Sequence, residues 1–321
     1  MKKIKKKSQT NHQLKKFFFF VILFIGIFLI GYGKFLNIYE GTPFGKNNKE
    51  LVKLDSLTFE IPPLNENISA FSYLVGELNN QKILIKKNED FHLFPASITK
   101  LMTAIVSIDN LSLDEEVTIN DYMVSSEGEE GGLVSGEKIK VQDLLKMLLI
   151  TSSNDAAVAL EETLNKKGFV FLNLIEEKLK KLKMNDTVFF DSTGLDRKGN
   201  FTTAKDLFLL AQEIYKNYHL IGEITREKET EVFSVDKKIR HFLKNTNNLV
   251  FEIDNLWLGK TGSTPEAKDC LITIFEFTSP FKNDKIPIVI IVLNSNDRFQ
   301  DTLKLYHFVE NILNQTPIKE T

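Results

Sequence analysis

The feature that most limits what this chain can fold into is where its two hydrophobic periods fall. Residues 69–87 carry two apolar-rich runs, SAFSYLVGEL and KILIKK, on either side of Asn79-Asn80, and this predicts a β-hairpin. From Ser97 the period becomes helical, with Ile98, Leu101, Met102, Ala104 and Ile105 sharing one face as far as Ser107. A second helical block runs from Val141 to Leu164, apolar at Leu144, Leu145, Leu148, Leu149, Ala156, Val158 and Leu160. A third begins at Thr203, where Thr203-x-x-Asp206 reads as a capping box before LFLLAQEIY. After Asn255 the texture returns to short β-rich runs, LWLGK, DCLITIFEF and PIVIIVLN, and a last helix is predicted over 298–314. Strands at both ends around a helical middle predict an α/β (α+β) fold, in which one antiparallel sheet is built from both terminal segments and packed against helices.

Composition agrees with a large packed core. The chain has 321 residues, 42% hydrophobic and 26% charged, which excludes a disordered tail, a collagen-like repeat and a disulfide-stapled miniprotein. Cys270 is the single cysteine, so no intrachain disulfide is possible. The five histidines lie far apart without an HExxH pattern or a Cys/His pair, so no zinc or iron site is expected.

The net charge of −2 hides an asymmetry: residues 1–16 hold seven lysines and no acid, which leaves the remainder at −9. A body that acidic, with only four arginines and no basic stripe, is not expected to bind nucleic acid. The lysines precede FFFFVILFIGIFLIGYG, seventeen uncharged residues that would span roughly 25 Å as a helix. Lys34 can snorkel and let Phe35 and Leu36 extend the run. The reading is a basic cytoplasmic tail (1–16), a transmembrane signal-anchor helix (17–36), an extracytoplasmic linker without sustained periodicity (37–68) and a folded domain (69–315) on the outer side of a cell membrane. A cleaved signal peptide is the alternative, since Gly31-Tyr32-Gly33 offers small residues at a cleavage position.

Ser-x-x-Lys occurs four times, so the pattern alone says little. Only Ser97–Lys100 opens an apolar helix, where three-residue spacing stacks the amine one turn above the hydroxyl and unpaired N–H groups face outward. Taken singly, Ser97 reads as a helix N-cap. Ser152-Ser153-Asn154 is the one Ser-x-Asn, breaking a helical block, and reads singly as a kink or internal cap. Lys260-Thr261-Gly262 is the one Lys-Thr-Gly, at the end of a predicted strand, and reads singly as a turn with a solvated lysine. All three together, in this order and each on a suitable element, point instead to serine acyl transfer.

The flanks FPASITKLMTA, DLLKMLLITSSNDAAVALEE, STGLD followed by GNFTTAKDL, NTNNL, and GKTGSTPEAKDCL resemble the D-alanyl-D-alanine carboxypeptidases of the low-molecular-mass penicillin-binding type, the S11 serine peptidases. The resemblance covers about residues 69–300 and implies the β-lactamase/DD-peptidase fold, a five-stranded antiparallel sheet with helices and a helical lobe. It implies that Ser97 is the nucleophile, Lys100 its base and Ser152 a proton relay, with Asn154 holding Lys100 and the substrate backbone. Burial and the nearby cation Lys260 are expected to lower the pKa of Lys100. Lys260 and Thr261 are implied to receive the substrate's carboxylate, Gly262 to allow close approach of the backbone, and the N–H groups of Ser97 and Ser263 to form the oxyanion hole. The implied partners are peptidoglycan stem peptides ending in D-Ala-D-Ala, and β-lactams as covalent inhibitors.

Three rivals remain at this level: a DD-endopeptidase cleaving cross-links, a β-lactamase, and a silent wall-binding module. Glu161-x-x-Leu164-Asn165 matches a deacylating-glutamate pattern of β-lactamases, but begins seven residues after Asn154 in the same helical block, so Glu161 and Glu162 read as a solvated helix face. The chain also departs from the family pattern at Ser153, at Ser263, and at Lys268-Asp269, where Gly-Tyr is common; the last bears on the strand connection.

Overall fold

The computed structural model describes residues 51–54, 57–128, 131–279 and 284–315. The expected basic tail and membrane span lie outside the described residues, and among those described no helix is long and apolar enough to cross a membrane. In chain order the first elements are β1 (Leu51–Leu54), β2 (Leu57–Glu60), β3 (Ser72–Glu77), β4 (Lys82–Lys87) and a 3-10 turn (Ala96–Thr99) that runs into α1 (Lys100–Asn110). Then come β5 (Glu116–Thr118), α2 (Asp121–Val124), β6 (Lys138–Lys140), α3 (Val141–Ile150), α4 (Asn154–Lys166) and α5 (Phe171–Leu182). The chain continues through α6 (Ala204–Asn217), α7 (His219–Thr225), β7 (Glu229–Phe233) and β8 (Arg240–Lys244). It finishes with β9 (Leu256–Thr264), β10 (Lys268–Thr278), β11 (Lys285–Ser295) and α8 (Arg298–Leu313).

The central sheet has five antiparallel strands in the order β4-β3-β11-β10-β9, so the N-terminal hairpin is seated beside the last strand. Alternate residues of β11 serve two cores. Ile288, Ile290 and Val292 join Val52, Phe59, Leu305 and Val309 of β1, β2 and α8, while Val289, Ile291 and Leu293 face the helical lobe. Burial on both faces is why this segment is one apolar run rather than an alternating one. Each of these fully buried side chains contributes about 1.5–3 kcal/mol relative to exposure.

Four expectations change. The stretch 37–68 was expected to be a tether, but its described part contains the β1–β2 hairpin, with Val52, Leu54 and Phe59 buried against α8 and the sheet. Four-residue strands are too short to show a period in a sequence scan. The helical block 141–164 is two helices, separated at Thr151–Ser153, because Ser152 takes a left-handed φ of 64° and Ser153 caps α4 by accepting from Ala156 N–H. The capping box at α6 is half a box: Thr203 accepts from Asp206 N–H, but the Asp206 carboxylate accepts from Asp186 N–H and Thr187 Oγ1 instead. Lys-Thr-Gly lies inside β9 rather than at its end, opposite Ile272, Leu271 and Cys270 of β10.

Candidate active site

Ser97 sits in the 3-10 turn before α1, where neither Pro95 nor Thr99 caps through a side chain, so the simple N-cap reading of Ser97 does not hold. Ala96 just before it has a left-handed φ of 47°, a conformation that costs on the order of 1–3 kcal/mol and is held only by its surroundings. The turn leaves Ser97 partly open to solvent while Lys100, one turn on, is fully buried. Lys100 Nζ lies 2.8 Å from Ser97 Oγ, 2.6 Å from Asn154 Oδ1 and 2.9 Å from the Thr193 carbonyl. Two of these partners can only accept. In a neutral amine they take both N–H groups, and the lone pair is left toward the Ser97 hydroxyl. This arrangement suits a base poised on a nucleophile.

The break between α3 and α4 turns Ser152 toward the sheet. Lys260 Nζ, on β9 and 1% exposed, donates to Ser152 Oγ at 2.8 Å and to the Thr261 carbonyl at 2.9 Å. Asn154 opens α4 with its amide fixed at both ends: Oδ1 faces Lys100 and Nδ2 donates to the Glu127 carbonyl at 2.5 Å. Asp155 next to it is buried and accepts from the N–H groups of Gly131 and Leu133. The start of α4 therefore also holds Glu127, Gly131 and Leu133.

β9 forms the other wall. A Cβ on Gly262 would meet Ser97 N at 3.0 Å and Ala96 Cβ at 3.0 Å, so only glycine lets the strand lie this close to the nucleophile's turn. That closeness brings the N–H of Ser97 alongside the strand that carries Ser263. Thr261 Oγ1 is 2.7 Å from Thr246 Oγ1. Arg298, the first residue of α8, donates from a terminal nitrogen to the Gly262 carbonyl at 2.7 Å. In the strand connection Lys268 adopts a left-handed φ of 52°, a conformation that glycine takes without strain.

Every implied site residue (Ser97, Lys100, Ser152, Asn154, Lys260, Thr261, Gly262, Ser263) thus falls on the 3-10 turn and α1, on the α3–α4 break and the first residue of α4, or on β9. Missing from the motif reading were the Thr193 carbonyl, Thr246 and Arg298. Thr193 lies within the STGLD stretch, and its loop is shaped by Asp191, whose Oδ1 accepts from the N–H groups of Thr193 and Gly194. Glu161 is not a solvated face: it is half-buried beside Ser192, and burial, with Asp191 adding to it, pushes its carboxyl above the ordinary value although Ser192 pulls the other way.

A family model described as D-alanyl-D-alanine carboxypeptidase, peptidase family S11, matches residues 59–297. The D-alanyl-D-alanine carboxypeptidase DacF of Bacillus subtilis is 33% identical over 208 residues, 63% of this chain and 53% of that protein. A D-alanyl-D-alanine endopeptidase of Escherichia coli is 31% identical over 256 residues, 76% of this chain and 78% of that protein. In structure, the Streptomyces K15 DD-transpeptidase superposes with a TM-score of 0.69 at 28% identity, covering 77% of this chain and 98% of that one. The fold is that of the DD-peptidases, and the chain belongs to the S11 family of D-alanyl-D-alanine carboxypeptidases. It spans about half the length of the Bacillus relative.

Proposed function

We propose that this chain is a serine-type D-Ala-D-Ala carboxypeptidase that removes the terminal D-alanine from peptidoglycan stem peptides. The observation that carries the reading is Lys100, buried and held by Asn154 and Thr193 so that its amine lies 2.8 Å from Ser97 Oγ. Ser97 Oγ attacks the carbonyl of the D-Ala-D-Ala bond as its proton passes to Lys100, and the oxyanion is met by the N–H groups of Ser97 and Ser263. Ser152, hydrogen-bonded to Lys260, conveys a proton to the leaving amine, and D-alanine departs from an ester on Ser97. Water then adds to that ester with Lys100 as base, which frees the shortened peptide and restores the hydroxyl.

The seven lysines followed by seventeen uncharged residues support a membrane-anchored enzyme with its catalytic domain outside the cytoplasm. The endopeptidase name of the Escherichia coli relative supports a second reading, cleavage of cross-links by the same residues. Incubation with a pentapeptide and with a cross-linked dimer, followed by mass analysis, decides between them: loss of one D-alanine is expected from the first, and conversion of the dimer alone favours the second. Intact mass after penicillin treatment should show one covalent adduct on the wild type and none on Ser97→Ala. A folded wild type without an adduct overturns both readings.

A further inference from the structure

The Asn-Thr-Asn segment between β8 and β9 is folded so that its middle residue meets Thr261. Asn245 and Asn247 are buried and bond back onto the chain. Asn245 Nδ2 donates to the carbonyls of Thr225 and Glu227 at 3.0 and 2.8 Å, and its Oδ1 accepts from Asn247 N–H at 2.9 Å. Asn247 presses on β9, where a Cβ on Gly259 would overlap its Nδ2. Gly259 and Thr261 are two residues apart and share a face of that strand. Thr246, half-buried between the two asparagines, is therefore presented to Thr261, and the two Oγ1 atoms are 2.7 Å apart. Its N–H donates to the Ile150 carbonyl at 3.1 Å, two residues ahead of Ser152. One threonine thus joins the end of α3 to β9, the two walls that carry Ser-x-Asn and Lys-Thr-Gly.

We infer that Thr246 is a positioning residue: its hydroxyl donates to Thr261 Oγ1 and turns the one proton of Thr261 toward the terminal carboxylate of the substrate. The inference rests on the proposed DD-peptidase reading, in which Lys260 and Thr261 take that carboxylate. The reason is a count of protons. Two hydroxyls at this separation share one hydrogen bond, so only one of their two protons lies between them. With Thr261 as donor, its lone pairs are all that it offers an incoming anion. With Thr246 as donor, Thr261 keeps its proton for the carboxylate and is polarised by the bond it accepts. The anion selects the second arrangement. Thr261 is 4% exposed, so water is a poor substitute for that donor. Without Thr246 the hydroxyl at 261 is neither oriented nor polarised, and the carboxylate binds roughly three- to tenfold more weakly.

The test compares wild type, Thr246→Val and Thr246→Ser. Valine copies the shape of threonine without the hydroxyl, and serine keeps the hydroxyl without the methyl. An N-acylated L-Lys-D-Ala-D-Ala peptide gives kcat and KM, while benzylpenicillin and its methyl ester give acylation rates with and without a carboxylate. In Thr246→Val the peptide KM should rise roughly three- to tenfold with kcat changed by less than about twofold. Acylation by benzylpenicillin should slow by a similar factor and acylation by the ester by less than about twofold. Thr246→Ser should stay within about twofold of wild type throughout. Equal slowing of acid and ester, or a fall in kcat at constant KM, means that Thr246 only braces the two walls and overturns the inference. Unchanged kinetics in Thr246→Val overturn it as well. An ester too slow to follow on the wild type leaves the peptide's KM and kcat to decide. A folded wild type that neither cleaves the peptide nor is acylated by benzylpenicillin overturns the proposed function, whereas a reactive wild type indifferent to Thr246→Val overturns the inference alone.

Discussion

Lys100 Nζ donates to the carbonyl oxygen of Thr193 across 2.9 Å, joining the nucleophile's helix to a loop ninety-three residues further along the chain. The loop reaches that position through Gly194, whose φ is +85° and whose Cα faces the Ala96 carbonyl so closely that a Cβ would overlap it. Neither partner can give way, because both are backbone. Gly194→Ala is therefore expected to cost more than about 2 kcal/mol of stability, read by denaturant unfolding, and to slow penicillin acylation in whatever fraction remains folded.

Removing the amine should separate chemistry from folding. Lys100→Met keeps the length of the buried side chain but leaves Asn154 Oδ1 and the Thr193 carbonyl without that donor. Acylation by penicillin should fall by roughly 10²–10⁴-fold. The melting temperature should fall too, by an amount equivalent to about 1–3 kcal/mol, without loss of the circular dichroism of the folded state.

The helical middle, the terminal strands and the three short motifs could be read from the sequence because each is a contiguous pattern of side chains. What completes the site could not. The Thr193 and Glu127 carbonyls act through the backbone, which leaves no side-chain signature. Arg298 reads as the first residue of a C-terminal helix, and only the placement of β11 beside β10 delivers it to Gly262. The break at Ser152 is visible as polarity, but the Lys260 amine that meets its hydroxyl comes from a strand 108 residues away and leaves no local trace. The β1–β2 hairpin escaped because a buried pair such as Val52 and Leu54 is too little pattern to stand out in a polar stretch.

Glu161 offers a pH signature. Burial pushes its carboxyl above the ordinary glutamate value, so the folded state holds the proton more tightly than the unfolded state does. Stability contributed by this group therefore falls as pH rises through that window, and above it the ionised carboxylate is a net cost. Glu161→Gln should be more stable than wild type at neutral pH in denaturant unfolding, and the gain should vanish near about pH 3, where both states hold the proton. Hydrolysis of the penicilloyl-enzyme should be unchanged, because this residue is not assigned a role in deacylation.

Cys270 is fully buried on β10 with its thiol pushed up to about 12 by burial. The thiolate is the reactive form, so iodoacetamide at mildly alkaline pH should leave the native protein unmodified and add one group per chain after unfolding. Rapid labelling of the native protein would contradict the packing of β10 against the helical lobe.

The seating of β3 between β4 and β11 has a consequence for how the molecule comes into being. Tyr73 finds its partner Val292 only across more than two hundred intervening residues, so the β3–β11 pairing, unlike the other three of the sheet, joins distant segments and is slow to close. Until the last strand arrives, β3–β4 and β9–β10 are separate hairpins, and the hydroxyl at 97 and the lysine at 260 belong to different pieces. Activity should therefore switch on late and all at once during refolding, lagging the gain of helix, and a chain cut short before residue 285 should hold every motif yet form no adduct.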